Sequence, residues 1–161
     1  MISDGEDGVE VRETGRGKFQ VEIHAAGTSL IADEPVEAGG LGSGPSPYDL
    51  LASALGACTT MTLRLYAERK GWPLKSVAVR VLHRRSALDA KDRFAREIGL
   101  EGELTPEQRH RLLEIANRCP VHLTLERGSD VVTVLSEKAF EGDLPTVSCG
   151  HAGDMVDACA D

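Results

Sequence analysis

The 161-residue chain has no cluster of basic residues, no uncharged run long enough to cross a membrane, no C-x-x-C pair and no phosphate-binding lysine motif. Each absence removes a class of function. Binding a nucleic-acid backbone needs grouped Lys and Arg to displace counterions, and a net charge of −8 with no basic stripe excludes that partner. The longest uncharged stretch, between Asp49 and Arg64, falls short of the ~20 apolar residues a membrane span requires. The opening MISDGEDGVE is acidic where a secretion signal is basic and then apolar, so a cytoplasmic protein with no membrane partner is expected. Cysteines stand at 58, 119, 149 and 159 without compact spacing, and in a reducing compartment no structural disulfide framework is expected. Cys119-Pro-Val-His122, and Cys149-Gly-His151 with Cys159, carry thiolate and imidazole donors but lack the knuckle of a zinc site, so no metal is assigned. The glycine-rich loop Glu34 to Gly44 lacks the lysine and spacing of a P-loop; its glycines suit close packing, and no nucleotide or other cofactor is expected. No internal repeat is visible.

What is present organises around Ser46 to Gly71, SPYDLLASALGACTTMTLRLYAERKG. Leu51, Leu55, Cys58, Thr62 and Leu65 recur at three- and four-residue intervals, which predicts one buried face of a long helix. Ser46 suits the N-cap, Pro47 the first position and Asp49 the acidic first turn, while Gly71 and Pro73 supply the stop. Ahead of it, Val9 to Glu13, Phe19 to His24 and Ser29 to Asp33 alternate apolar and polar residues between glycines, an antiparallel meander. Arg16 sits in its first turn, TGRGK, exposed and free to be aimed. After the helix, Lys75 to Arg84 and Phe94 to Leu100 alternate as a hairpin. Thr105, Pro106 and Gln108 then open a second helix with a capping box, whose stripe includes Leu112, Ala116 and Cys119. Pro120 ends it, leaving Cys119 at the terminus. Val131 to Leu135 reads as a last strand. The size suits one domain over residues 1–136, with a flexible tail at 1–8, followed by an appendage at 137–161 with a short helix near 152–160.

Two thiols carry the chemistry worth weighing. A cysteine on an apolar helix stripe, such as Cys58, is by default an inert small hydrophobe. Mid-helix it gains nothing from the helix N-terminus, so reactivity requires a cation from elsewhere, with Arg16 and Arg64 as candidates. Lowering a thiol from ~8.5 to below neutral takes only about 2 kcal/mol, within reach of one close guanidinium. Cys119 lies at a helix end beside Arg118. A second thiol turns a single oxidation into a cycle: one thiolate is oxidised to a sulfenic acid, condenses with its neighbour to a disulfide, and is reset by an external dithiol. His24, His83 and His110 read as surface residues without a role.

The segments GPSPYDLLASALGACTTMTLRLYAERKGWPL and LLEIANRCPVHLTL resemble the OsmC/Ohr family of thiol-dependent hydroperoxide reductases, over about residues 10 to 135. The resemblance implies an α+β fold, antiparallel sheets packed on two main helices in an intertwined homodimer with sites at the subunit interface. It implies a peroxidase acting on organic hydroperoxides or hydrogen peroxide, with Cys58 attacking, Cys119 resolving, and a thiol or lipoyl-type dithiol as reductant. It also implies that an arginine from the N-terminal hairpin, here Arg16, and an acid ahead of the central helix hold the thiolate. Tyr48 stands at that acid's place with Asp49 beside it, so the clamp falls to Asp49, to Glu34 or Glu37, or is missing. The competing reading on the same fold is a small-ligand-binding or redox-sensing module with Cys58 merely buried.

Overall fold

The computed structural model describes residues 8–136 and 150–160. Its elements run β1 (Val9–Glu13), β2 (Val21–Ala25), β3 (Thr28–Ala32), α1 (Pro47–Arg69), β4 (Leu74–Arg84), β5 (Arg93–Gly102), α2 (Pro106–Ala116), α3 (Pro120–Arg127) and α4 (Gly150–Ala158). This is the expected α+β class, with a three-stranded antiparallel sheet β1-β2-β3 and a two-stranded antiparallel sheet β4-β5. The chain forms two compact units, residues 1–47 with 130–150 and residues 48–129 with 151–161. Most of the expected N-terminal tail, the segment 137–149 and with it Cys149 lie outside the described residues.

In the first unit the β2–β3 connection is two residues long, and Ala26 (φ 48°) and Gly27 (φ 73°) both take the left-handed conformation that matches the twist of a tight hairpin. The glycine-rich loop after β3 folds around the buried Asp33. Its carboxylate accepts bonds from the Glu34 N–H (2.8 Å), the Leu41 N–H (3.1 Å), and both the N–H (3.2 Å) and hydroxyl (2.6 Å) of Ser43. A Cβ on Gly40 would collide with the Glu34 carbonyl, and one on Gly44 with the Ile31 carbonyl, which is why small residues crowd this loop. The predicted strand at Val131 to Leu135 is not formed. Those residues take no regular secondary structure, with Val131, Val132, Val134 and Leu135 between 67% and 95% exposed, because no strand among the described residues pairs with them.

In the second unit α1 ends where Gly71 turns left-handed (φ 63°) and the Trp72 N–H bonds back to the Ala67 carbonyl, a glycine-terminated helix stop. Its buried face is Leu55, Cys58, Thr59, Thr62, Leu63, Tyr66 and Ala67. Leu51, expected on that face, is 44% exposed, and Leu65 is only half-buried, so the stripe starts one turn later than the spacing predicts. The strands β4 and β5 alternate as predicted, with Val77, Val79 and Val81 opposite Leu100, Ile98 and Arg96 on one inward face. Leu63, Tyr66 and Ala67 pack with Leu74, Leu112, Ile115, Ala116 and Cys159 into the larger core cluster. Helix α2 opens on the predicted capping box, Thr105 Oγ1 accepting from the Gln108 N–H (3.2 Å) and Gln108 Oε1 from the Thr105 N–H (2.9 Å). It stops at Ala116, and Cys119 is extended (φ −60°, ψ 138°) as the residue before a proline should be. Pro120 does not end helical structure, however; it takes the first position of a new helix, α3, where its missing N–H costs nothing.

Two measurements check these contacts. Thr105→Ala removes the hydroxyl that accepts from the Gln108 N–H, leaving the backbone bond to Gln108 Oε1, and should cost about 1 kcal/mol in denaturant unfolding. The four donors around Asp33, the Ser43 hydroxyl foremost, hold its carboxyl below the ordinary carboxylate range. A lowered folded-state pKa gives stability that is present above the unfolded value of ~3.9 and lost as pH falls through the folded one. The advantage of wild type over Asp33→Asn in acid unfolding should therefore be full above about pH 4 and shrink progressively as pH falls below it.

Candidate active site: a buried thiol pair

The middle of α1 and the corner between α2 and α3 bring Cys58 and Cys119 together. They are 2% and 0% exposed and share a small apolar cluster with Leu55, against which Val81, Phe94, Val121 and Leu125 pack. The corner geometry follows from its sequence: Cys119 is the N-cap of α3 but its side chain makes no cap bond, which leaves first-turn amides of that helix open. The Val121 N–H donates to Cys58 Sγ at 3.4 Å. A sulfur from α1 thus serves a donor that the α3 cap residue leaves open.

The two thiols are electrostatically unequal. Cys119 Sγ lies 3.7 Å from the Thr59 hydroxyl and 3.9 Å from Nη1 of Arg96. The hydrogen bond from Cys58 lowers its pKa most, and against the effect of burial the His122 backbone N–H, the Thr59 hydroxyl and the Arg96 charge add to it. Cys58 is shifted the other way, first by its hydrogen bond to Cys119 and then by burial. Of the two sulfurs, Cys119 is therefore the one whose surroundings favour the thiolate. The magnitudes are adequate: a unit charge near 4 Å at an effective dielectric of ~20 is worth about 4 kcal/mol, whereas a tenfold change in a thiol's ionisation equilibrium takes about 1.4 kcal/mol.

Arg96 is the residue that sequence reasoning missed. Its guanidinium donates to Thr59 Oγ1 (2.8 Å), the Ala116 carbonyl (3.0 Å) and Asn117 Oδ1 (2.9 Å), and approaches His122 Nδ1 at 3.5 Å. The signal was present in the alternation of FAREIGL, which puts Arg96 on the same face as Phe94, Ile98 and Leu100. An arginine at an apolar position of a strand demands polar partners inside.

The other expected residues fall elsewhere. Arg64, a candidate cation for Cys58, donates to the carbonyls of Leu74 (2.6 Å) and Lys75 (3.0 Å) and ties α1 to the start of β4. Asp49 is nine residues before Cys58, half a rotation away at ~100° per residue, and lines a groove with Gly56, Val79 and Val81. Arg16, Glu34 and Glu37 belong to the first unit, where the Arg16 N–H donates to Thr14 Oγ1 (3.2 Å). His83 is not the plain surface residue expected: it stacks on Tyr48 (4.3 Å between centroids, 6° between planes), lies 4.7 Å from Phe94 and contacts Asp92 at 2.6 Å. Arg85 donates to the Tyr48 hydroxyl at 2.8 Å. The position where the resemblance places an acid is thus occupied by an aromatic stack.

A cleft of about 380 Å³ has Leu55, Phe94, Leu125, Arg96, Asn117 and His122 in its wall, of which Leu55, Phe94 and Leu125 also pack on the thiols, while neither sulfur lines it. Its mix of apolar surface and a few convergent donors is that of a small-molecule site. Among the described residues no three His, Cys, Asp or Glu side chains converge as a metal site, and no helix is long and apolar enough to cross a membrane.

Comparison with known proteins agrees with this architecture. No curated protein sequence matches the chain significantly. Among solved structures, a Psychrobacter arcticus protein provisionally described as an osmotic stress induced and detoxification response protein is 21% identical, with a TM-score of 0.67 over 77% of this chain and 91% of that one. An OsmC-like protein from Mycoplasma pneumoniae is 16% identical, with a TM-score of 0.64 over 77% and 89%. The organic hydroperoxide resistance protein OsmC of Legionella pneumophila is 21% identical, with a TM-score of 0.58 over 76% and 90%. At these identities the likeness establishes the fold. The model of the OsmC-like protein family matches residues 40–134, more than half of the chain and both thiol segments, and the chain belongs to that family.

Proposed function

We propose that the protein is a thiol-dependent peroxidase that reduces an organic hydroperoxide or hydrogen peroxide through Cys58 and Cys119 and is reset by a dithiol. The observation that carries the reading is the pair itself: two buried thiols in one small apolar cluster, with a guanidinium 3.9 Å from one of them and a cleft lined by their neighbours. The hydroperoxide-resistance name of the Legionella structure supports the same reading.

In the proposed cycle Cys119 accepts the Cys58 thiol proton as the Cys58 sulfur attacks the distal peroxide oxygen. The O–O bond breaks, the leaving oxygen takes that proton and departs as alcohol or water, and Cys58 is left as a sulfenic acid. The Cys119 thiolate then attacks the Cys58 sulfur, expels hydroxide and closes a Cys58–Cys119 disulfide. A dithiol such as a lipoyl group opens it by two exchanges, is itself oxidised to a cyclic disulfide, and returns both thiols. No metal or organic cofactor takes part. Arg16 is proposed to assist the peroxide step, as the resemblance implies; Asp49, turned away from Cys58, enters no step. The exposed, unpaired Val131 to Leu135 segment suits the homodimer that the resemblance implies, where a second copy would pair with it.

Turnover of an alkyl hydroperoxide with dithiol should be abolished in Cys58→Ser and reduced to a single oxidation per chain in Cys119→Ser. Equal peroxide consumption by wild type and Cys58→Ser would sink the reading. Carboxymethylation of the reduced pair should stay fast well below the ~8.5 of an ordinary thiol and fall away only in acid, because the thiolate form persists there. In Cys58→Ala, which removes the largest cause of the Cys119 shift, the fall should move to higher pH.

A further inference from the structure

We propose that Arg96 fixes the polarity of the thiol pair, holding the negative charge on Cys119 so that an incoming thiol opens the Cys58–Cys119 disulfide at Cys58 and expels Cys119 as the leaving thiolate. The inference rests on the cycle proposed above and gives its second half a direction.

Burial does not distinguish the two sulfurs, since both are almost completely covered. Their charge contacts do. The Arg96 guanidinium approaches Cys119 Sγ at 3.9 Å, and the Thr59 hydroxyl stands 3.7 Å from the same atom. Outside the pair Cys58 is met by the Val121 backbone amide at 3.4 Å and by the Thr62 side chain, neither of which carries a charge. Arg96 is moreover a cation whose described hydrogen-bond partners are a hydroxyl, a carbonyl, a side-chain amide, an imidazole and a sulfur, with no carboxylate among them. The nearest acid on α3, Glu126, is drawn to the far nitrogen of His122 at 3.6 Å. The Cys119 sulfur is the partner in that set best able to take up the opposing charge.

The chemical consequence comes from thiol–disulfide exchange, in which the sulfur with the lower thiol pKa leaves faster. Attack at Cys58 forms a new bond from the incoming thiolate to the Cys58 sulfur, breaks the disulfide, and deposits the electron pair on Cys119, where the guanidinium receives it. Attack at Cys119 would instead deposit charge on Cys58, which has no cation among its described contacts. The same placement readies Cys119 to attack the Cys58 sulfenic acid without a prior proton loss.

The test uses the whole protein. Wild type is oxidised with one equivalent of an alkyl hydroperoxide, or in parallel with diamide. It is then opened with 2-mercaptoethanol, quenched, and mapped by peptide mass to find which cysteine carries the mixed disulfide. The adduct should fall on Cys58 over Cys119 by at least about tenfold. An even split, or an adduct on Cys119, overturns the proposal. In Arg96→Gln the preference should collapse toward an even split, and the Cys58 sulfenic acid, trapped with dimedone after a peroxide pulse, should survive at least about tenfold longer. Arg96→Lys should restore part of both. A guanidinium that only props up the corner would leave the split unchanged in the Arg96→Gln protein. The wild-type mapping decides the matter should that variant fail to fold. If diamide closes the disulfide and hydroperoxide does not, the peroxidase reading fails while the mapping still tests the polarity; if neither closes it, both fail.

Discussion

A guanidinium on the inward face of β5 is the constraint to which the second unit is fitted. Arg96 stands opposite Val81 and in line with Phe94 and Ile98, sheet neighbours whose side chains offer it no hydrogen bonds. Burying such a group without partners would cost several kcal/mol, so the elements packed on that face must each present an acceptor. Helix α1 offers the Thr59 hydroxyl, the end of α2 offers the Ala116 carbonyl and the Asn117 side chain, and α3 offers the His122 ring. The α2–α3 break belongs to this arrangement. The last carbonyls of a helix have no partner inside it, and a cation at the C-terminal end of α2 satisfies one of them while facing the negative pole of the helix.

From that constraint the site's chemistry arises by geometry. Once α2 is stopped at Ala116 and α3 restarted at Pro120, Cys119 has to sit between them, and α1 has to pass close enough for Thr59 to reach Arg96. Cys58, the residue before Thr59, then lies over the first turn of α3, where the Val121 N–H finds its sulfur. The thiols need no special device to meet; the polar demand of one arginine brings their backbones together. The Thr59 hydroxyl also bonds the Leu55 carbonyl at 2.6 Å, so its position is set by its own helix before Arg96 arrives.

Local signals made much of this legible in the sequence. The ends of α1, the capping box of α2, the meander and the β4–β5 hairpin all rest on residues whose effect is short-range: proline, glycine, a capping threonine, a period of two. Cys58 and Cys119 stood out because they lie on the predicted helices. What stayed hidden depends on partners far along the chain. Arg96 looked like one charged position in an alternating strand, and only its phase relative to Phe94 and Ile98 set it apart. Val131 to Leu135 has the composition of a strand, but a strand exists only where another edge accepts its hydrogen bonds, and composition does not report that. His83 was read from its type alone; its stack on Tyr48 needs the start of α1 to lie beside the end of β4. Pro120 was read as a stop although proline is equally a helix start, and only the residues downstream of it separate the two meanings.

A reactive thiol pair makes two demands that conflict. Sulfur chemistry free of side reactions favours a dry, apolar surround, while holding a thiolate requires a nearby positive charge that such a surround penalises. The arrangement at Arg96 meets both because a guanidinium is wide enough to face two ways. Nη1 is turned inward to Thr59, Ala116 and Cys119, and Nη2 outward to Asn117 and His122 at the wall of the cleft. One end therefore keeps contact with the wetter side while the other delivers charge to a fully buried sulfur. A lysine, with a single charged point on a flexible stem, could serve one side or the other but not both at once. The planar fork explains why this position of an otherwise apolar strand face carries arginine.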